Sequence, residues 1–225
     1  MPRHGPHPSQ FLELSTPVGP SRGTVLLLHG GFWRARHGLE LMRPLVPSLL
    51  AAGFTVANAE YRRVGGGGGW PATLDDVVAA RAALGTDVIA VGHSAGAQLA
   101  VCLARRGGVR AVVSLAGVLD VVAAARDGLG EGAAAAFLGG LPDEVPEVYA
   151  AASPMALTPV GVPVTCLHAP ADQRVPFAQS AAFTATTGDR LVTVAGDHFT
   201  PIDPGSAAWA AALAEVSAQA GPRPS

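Results

Sequence analysis

Short, nearly unbroken apolar runs recur along this chain with helical stretches between them, and that alternation limits the fold more than any other feature. The runs are Phe11 to Leu14, Thr24 to His29, Phe54 to Tyr61, Val88 to Gly92, Val109 to Ala116, Val164 to His168 and Leu191 to Ala195. The helical stretches cover about 39–52, 72–84, 95–105, 176–186 and 206–218, several of them closing at a glycine. A strand that is apolar at successive positions is buried on both faces, as happens where helices cover both sides of a parallel sheet. The expectation is therefore an α/β fold with a mostly parallel central sheet, its first strand an antiparallel edge.

A chain of 225 residues has the length of one such domain. We expect a single domain over 1–225, with 1–9 as a flexible tail. The Ala- and Gly-rich stretch 118–161 shows only helical scraps, and a short lid excursion above the sheet is expected there. Charged residues make up only 14%, against 49% apolar, which excludes a disordered chain. All 15 basic residues are arginines; with 17 acids the formal charge is −2 and no basic cluster forms, so nucleic acid is not expected as a partner.

The mean hydropathy of +0.33 raises the question of a membrane. Two stretches without charge, 88–104 and 148–171, approach or exceed the roughly 18 residues a spanning helix needs. The second carries Pro154, Pro159, Pro163 and Pro170, and the first would place His93, Ser94 and Gln98 in hydrocarbon, so no membrane span is expected. Met1 to Gln10 has no apolar core of a secretory signal, and a cytoplasmic protein is expected. Cys102 and Cys166 lie in apolar runs without zinc-ligand spacing and read as buried thiols.

Chemistry concentrates at Gly92-His93-Ser94-Ala95-Gly96, a G-x-S-x-G that follows an expected strand and opens an expected helix. On such an elbow a serine sits in a tight turn with its Oγ raised above the strand ends, facing a helix N-terminus. Upstream, Thr24 to His29 runs into Gly30-Gly31-Phe32-Trp33, a flexible turn able to aim N–H groups at a developing oxyanion. The expected donors are Gly31 or Phe32 together with Ala95, and His29 would brace the loop.

A serine hydroxyl becomes a useful nucleophile when a placed imidazole takes its proton. His4, His7 and His37 lie in the tail or a loop, His93 adjoins Ser94, and His168 ends a strand. His198 follows the last strand, where the order serine, acid, histidine puts the base. The acid that would orient it is Asp172, on the loop after the preceding strand, with Asp120 as runner-up and Asp197 read as a turn residue. The chain has no His, Asp or Glu cluster of ligand spacing, and neither metal nor cofactor is expected.

Together, His29-Gly-Gly-Phe-Trp33, Gly92-His-Ser-Ala-Gly-Ala97, Asp172 and His198 resemble the α/β-hydrolase superfamily. More narrowly, H-G-G-x-W with G-H-S-A-G-A is similar to the kynurenine formamidase and small-esterase branch, with likeness also to prolyl-oligopeptidase-type hydrolases. The resemblance runs from about Gly23 to Trp209 and takes in Tyr61-Arg62, Trp70-Pro71, Asp75-Asp76 and Ser153-Pro154. It implies a compact hydrolase with a small cap or none. The activity it implies is cleavage of a small ester or formamide through Ser94, His198 and Asp172 by way of an acyl-enzyme. A peptidase, or a non-catalytic binding protein on the same fold, is the alternative.

Five consecutive glycines, Gly65 to Gly69, depart from that pattern. With no lysine in the chain and Trp70 after them, they make neither a P-loop nor a dinucleotide fingerprint. Trp33, Trp70 and Phe199 flank the motifs and are expected to line a substrate pocket. A substrate carboxylate would call for a cation from among Arg34, Arg36, Arg62, Arg63 and Arg174. A small-molecule substrate and a monomer or homodimer complete the expectation.

Overall fold

A computed structural model describes residues 1–220. The domain expected over 1–225 therefore ends, at 221–225, outside the described residues. The strands are β1 (Phe11–Ser15), β2 (Thr24–Leu28), β3 (Thr55–Glu60), β4 (Val88–His93), β5 (Val109–Leu115), β6 (Val164–His168) and β7 (Arg190–Thr193). They form one sheet in the order β1-β3-β2-β4-β5-β6-β7. Only the β1–β3 pairing is antiparallel, so the expected edge strand is found at the expected edge.

The helices are α1 (Val46–Ala51), α2 (Ala72–Ala83), α3 (Ala95–Ala104), α4 (Val121–Arg126), α5 (Leu129–Leu138), α6 (Pro146–Ala152), α7 (Ala178–Thr187) and α8 (Ala207–Ala218). Period-two alternation in the strands divides the core into two layers. Leu26, Leu28, Val88 and Ala90 point toward a layer shared with α2 and α3, whereas Val25, Leu27, Ile89 and Val91 point toward α1 and α8. Helix α3 is buried along its whole length, consistent with a place at the middle of the molecule.

Three expectations require correction. The helix expected over 39–52 is two 3-10 turns followed by the six residues of α1, because Pro44 and Pro47 withhold the N–H groups that a continuous helix would need. Residues 1–9, read as a tail, are fastened: Arg3 bridges to Phe11, and His4 Nε2 lies 3.1 Å from the Glu60 carbonyl oxygen. Gln10 Nε2 donates to buried Asp76 at 2.6 Å. The stretch 118–161 folds as α4, α5 and α6, whose Val121, Ala124, Ala134, Phe137 and Tyr149 are buried in the α3 layer. Burial of that apolar face holds the segment against the body of the protein, and it contributes no lining to the cavity described below.

Candidate active site

The carboxyl ends of β2, β4, β6 and β7 gather the candidate residues at one edge of the sheet, where parallel sheets place their ligand sites. Strand β4 ends at His93 and α3 begins at Ala95, so Ser94 makes the whole turn. Its backbone has φ 54° and ψ −118°, a conformation that costs a non-glycine residue about 1–3 kcal/mol. Neighbouring backbone holds it there: Ser94 N–H donates to the Leu115 carbonyl at 2.9 Å, and the Ser94 carbonyl accepts from Val118 N–H at 3.2 Å. The flanking glycines are required by space. A Cβ at Gly92 would collide with the backbone of Gly96 and Ala97, and one at Gly96 with the carbonyls of Leu28 and His29.

His198 Nδ1 lies 2.7 Å from Asp172 Oδ2. With the carboxylate ionised, Nδ1 carries the hydrogen and donates it, leaving Nε2 as the ring's acceptor. Asp172 is held from several sides. Its Oδ1 accepts from the Arg174 and Val175 N–H groups at 2.8 and 2.9 Å, and its Oδ2 also meets His168 Nε2 at 3.2 Å. Burial works against the charge on Asp172, but the hydrogen bonds from His168, His198 and Val175 hold its carboxyl well below the usual carboxylate range.

Ser94 and His198 both line a cavity of about 350 Å³, shared with Gly31, Phe32, Leu41 and Phe199. Gly31, Phe32 and Trp33 all have positive φ (109°, 52° and 54°), which bends the chain sharply after β2. Ala95 is the first residue of α3, so its N–H belongs to the group a helix leaves without an internal partner. Gly31 and Phe32 line the same cavity as Ser94.

Two of the three aromatic residues expected to line the pocket do not. Trp33 is 2% exposed; the same left-handed bend turns it into the core, where its ring stacks on Phe137 at 4.6 Å and its Nε1–H donates to Gln98 at 3.0 Å. Trp70 packs edge-on against Phe137. Phe199 alone of the three reaches the cavity. Asp120 caps α4, accepting from Val122 and Ala123 N–H, and takes no part in the pair with His198. Asp197 folds onto its own turn, accepting from the Phe199 and Thr200 N–H groups.

Two histidines that the sequence did not mark support the site. His168 is fully buried; its Nε2–H serves Asp172 and the Val175 carbonyl while Nδ1 accepts from Ser180 at 2.8 Å. His93 Nε2–H donates to the His198 carbonyl at 2.9 Å, so the residue before Ser94 fixes the main chain of His198. Burial pushes the His93 imidazole down to about 3, which keeps it neutral. No local signal could have revealed either role, since each depends on a contact across the fold.

Residues 14–186 match the BD-FAE family, well over half of the chain. The chain belongs to the BD-FAE family. No curated protein matches the sequence. Among solved structures, this BD-FAE chain is similar to a bifunctional GH43-CE protein from Bacteroides eggerthii, at 22% identity and TM-score 0.82 over 95% of this chain and 36% of that one. It thus spans only about a third of that protein's length. It is also similar to a truncated carbohydrate esterase from gut microbiota (19% identity, TM-score 0.77, 94% and 91% covered) and to esterase B from Lactobacillus rhamnosis (17%, 0.78, 97% and 84%). At these identities the likeness is one of fold, and the fold is that of the α/β-hydrolases.

Among the described residues of the BD-FAE chain, no group of three or more His, Cys, Asp or Glu side chains stands close enough to hold a metal ion. No helix there is long and apolar enough to cross a membrane. Cys102 and Cys166 are free and buried, and burial pushes both thiols up to about 12.

Proposed function

We propose that this chain is a serine hydrolase of small carboxylic esters. The observation that carries the reading is the 2.7 Å contact between His198 Nδ1 and Asp172, made by an imidazole that shares one cavity wall with Ser94. The esterases among its structural relatives support the choice of esters. Ser94 Oγ forms a bond to the carbonyl carbon while His198 Nε2 takes its proton, and the carbonyl oxygen becomes an anion facing the N–H groups of the 31–32 turn and Ala95. Collapse breaks the bond to the alcohol oxygen, which leaves with the proton from His198. Water then attacks the acyl carbon and gives a proton to His198, and as the bond to Ser94 Oγ breaks that proton passes to Oγ and the acid is released.

The same steps cleave a formamide, with an amine as leaving group, and the H-G-G-F-W and G-H-S-A-G-A segments keep a kynurenine formamidase-like activity as the second reading. Parallel hydrolysis of p-nitrophenyl acetate and N-formylkynurenine by wild type and Ser94→Ala separates the two. Ester turnover that vanishes in Ser94→Ala is the expected result. Efficient Ser94-dependent cleavage of N-formylkynurenine alone would favour the formamide, and turnover undiminished in Ser94→Ala would overturn both.

A further inference from the structure

Five arginines stand close to the motifs in sequence, and the fold sorts them. Arg34 is spent on the Gly130 carbonyl (2.5 Å) and the Glu131 carboxylate (3.2 Å). Arg62 makes a two-pronged pair with Asp76, at 2.9 and 2.7 Å. Arg63 is buried against Glu60 and the Tyr61 carbonyl. Arg36 and Arg174 remain, and both line the cavity that holds Ser94 and His198. No carboxylate among the described residues pairs with either guanidinium.

The two cations come from different loops and line one cavity. The Arg174 backbone is pinned by its N–H to Asp172 at 2.8 Å, and its guanidinium lies over the Phe199 ring, 5.4 Å from the centroid. Arg36, an exposed residue, donates its Nε–H to His37 Nε2 at 3.2 Å. Burial, and then Arg36, hold the His37 imidazole below its ordinary value; the Glu40 carboxylate opposes this and Arg174 adds to it, so both guanidinium groups and one carboxylate act on the ring. The acids nearby are engaged elsewhere: Asp172 behind His198, Asp197 in its own turn, and Glu40 on the Gly38 N–H at 2.9 Å. Phe32, Leu41 and Phe199 give the same lining its apolar part, beside His37 and His93. Among its described residues, a chain of net charge −2 thus presents a cavity lined by two arginines that pair with no carboxylate, and by no carboxylate itself.

We propose that the site takes esters carrying a free carboxylate, held by Arg36 and Arg174 at the mouth, with an apolar spacer leading to the ester carbonyl at Ser94. This rests on the hydrolase reading above. Planar, forked guanidinium groups suit a carboxylate, and a buried spacer fixes its distance from the reacting carbon. The carboxylate can belong to the acyl part or to the alcohol part, and two substrate pairs distinguish these.

The acyl pair is the p-nitrophenyl monoester of adipate against p-nitrophenyl hexanoate, and the alcohol pair is 4-acetoxybenzoate against 4-acetoxybenzamide. In one pair the wild type favours the anionic member, and in Arg36→Gln/Arg174→Gln the anionic-to-neutral ratio of kcat/KM falls about tenfold. The ratio of the wild type also falls as salt is raised. A ratio that is the same in the double variant as in the wild type, for both pairs, overturns the proposal. Should the wild type hydrolyse none of the four, the hydrolase reading fails, and calorimetric titration of Ser94→Ala with 4-acetoxybenzoate and 4-acetoxybenzamide decides the anion site alone. Tighter binding of the anion that is lost with the two arginines supports the site, and equal binding of the two compounds refutes it.

Discussion

At the carboxyl edge of the sheet, among the described residues, Asp172 meets both His198 and His168 while Glu60 meets His29, and of these three contacts only that of His198 faces the cavity. His198 meets Asp172 at 2.7 Å and lines the pocket beside Ser94, whereas His29 meets Glu60 at 3.2 Å and is fully buried. The His29 ring stacks on Tyr61 at 4.3 Å, its Nδ1 lies 2.7 Å from the Gly30 carbonyl oxygen, and its Nε2 lies 3.4 Å from an Arg63 guanidinium nitrogen. Burial drives that imidazole down to about 3. Pairing with a carboxylate does not make a base; what differs is a ring nitrogen open to a reacting proton. The sealed pair has a structural task instead, since Glu60 also accepts from the Leu39 and Tyr61 N–H groups and so ties down both ends of the 30–39 bend.

The largest effects are expected on the open pair and its serine. Ser94→Ala or His198→Gln should cut kcat/KM for a reactive ester by about 10⁴ or more with the protein still folded. Comparable turnover by His198→Gln, after correction for background hydrolysis, would break the contrast at its first term. Asp172→Asn should lower kcat by about 10³–10⁴, because the amide favours the wrong imidazole tautomer. A steady-state assay of that variant showing nearly full activity would mean that the 2.7 Å contact is incidental.

Glu60→Gln sharpens the comparison from the other side. It leaves Arg63, 8% exposed, buried without its counter-ion and should cost about 3–5 kcal/mol in urea unfolding. Its kcat should fall far less than that of Asp172→Asn. Equal losses of kcat at full stability would erase the distinction between the pairs.

Much of this edge was legible because it is local. The run from Val88 through Gly96 sets a strand, a strained turn and a helix within nine residues, and chain order after β6 and β7 singled out Asp172 and His198 for the same edge. What could not be read depends on direction or distance. Trp33 adjoins the bend yet turns inward at φ 54°, and His168 and His93 acquire partners only once strands have paired. The 118–161 stretch lacked a readable period because its alanines and glycines carry little contrast between faces; left-handed residues at 130–132 interrupt α5.

A smaller effect concerns pH. His29 and His93 stay neutral in the fold down to about 3, whereas unfolded imidazoles take up protons near 6.5. The unfolded state therefore binds more protons across that window, so stability is full above 6.5 and falls as the pH drops toward 3. With at least two such groups the slope is on the order of 3 kcal/mol per pH unit at mid-window. Below the ordinary carboxylate range the depressed Asp172 adds a loss of the same sign. Urea midpoints that do not change between pH 6.5 and 4.5 would contradict neutral burial of the two rings.

The central claim is that Ser94 is the nucleophile of the open pair. It is tested most directly by treating the folded protein with a p-nitrophenyl alkylphosphonate and mapping the adduct by peptide mass spectrometry. One equivalent of p-nitrophenol released, with the phosphonyl group on Ser94 and no adduct in His198→Gln, is the predicted result. A folded protein that is not labelled, or is labelled at another residue, would contradict it.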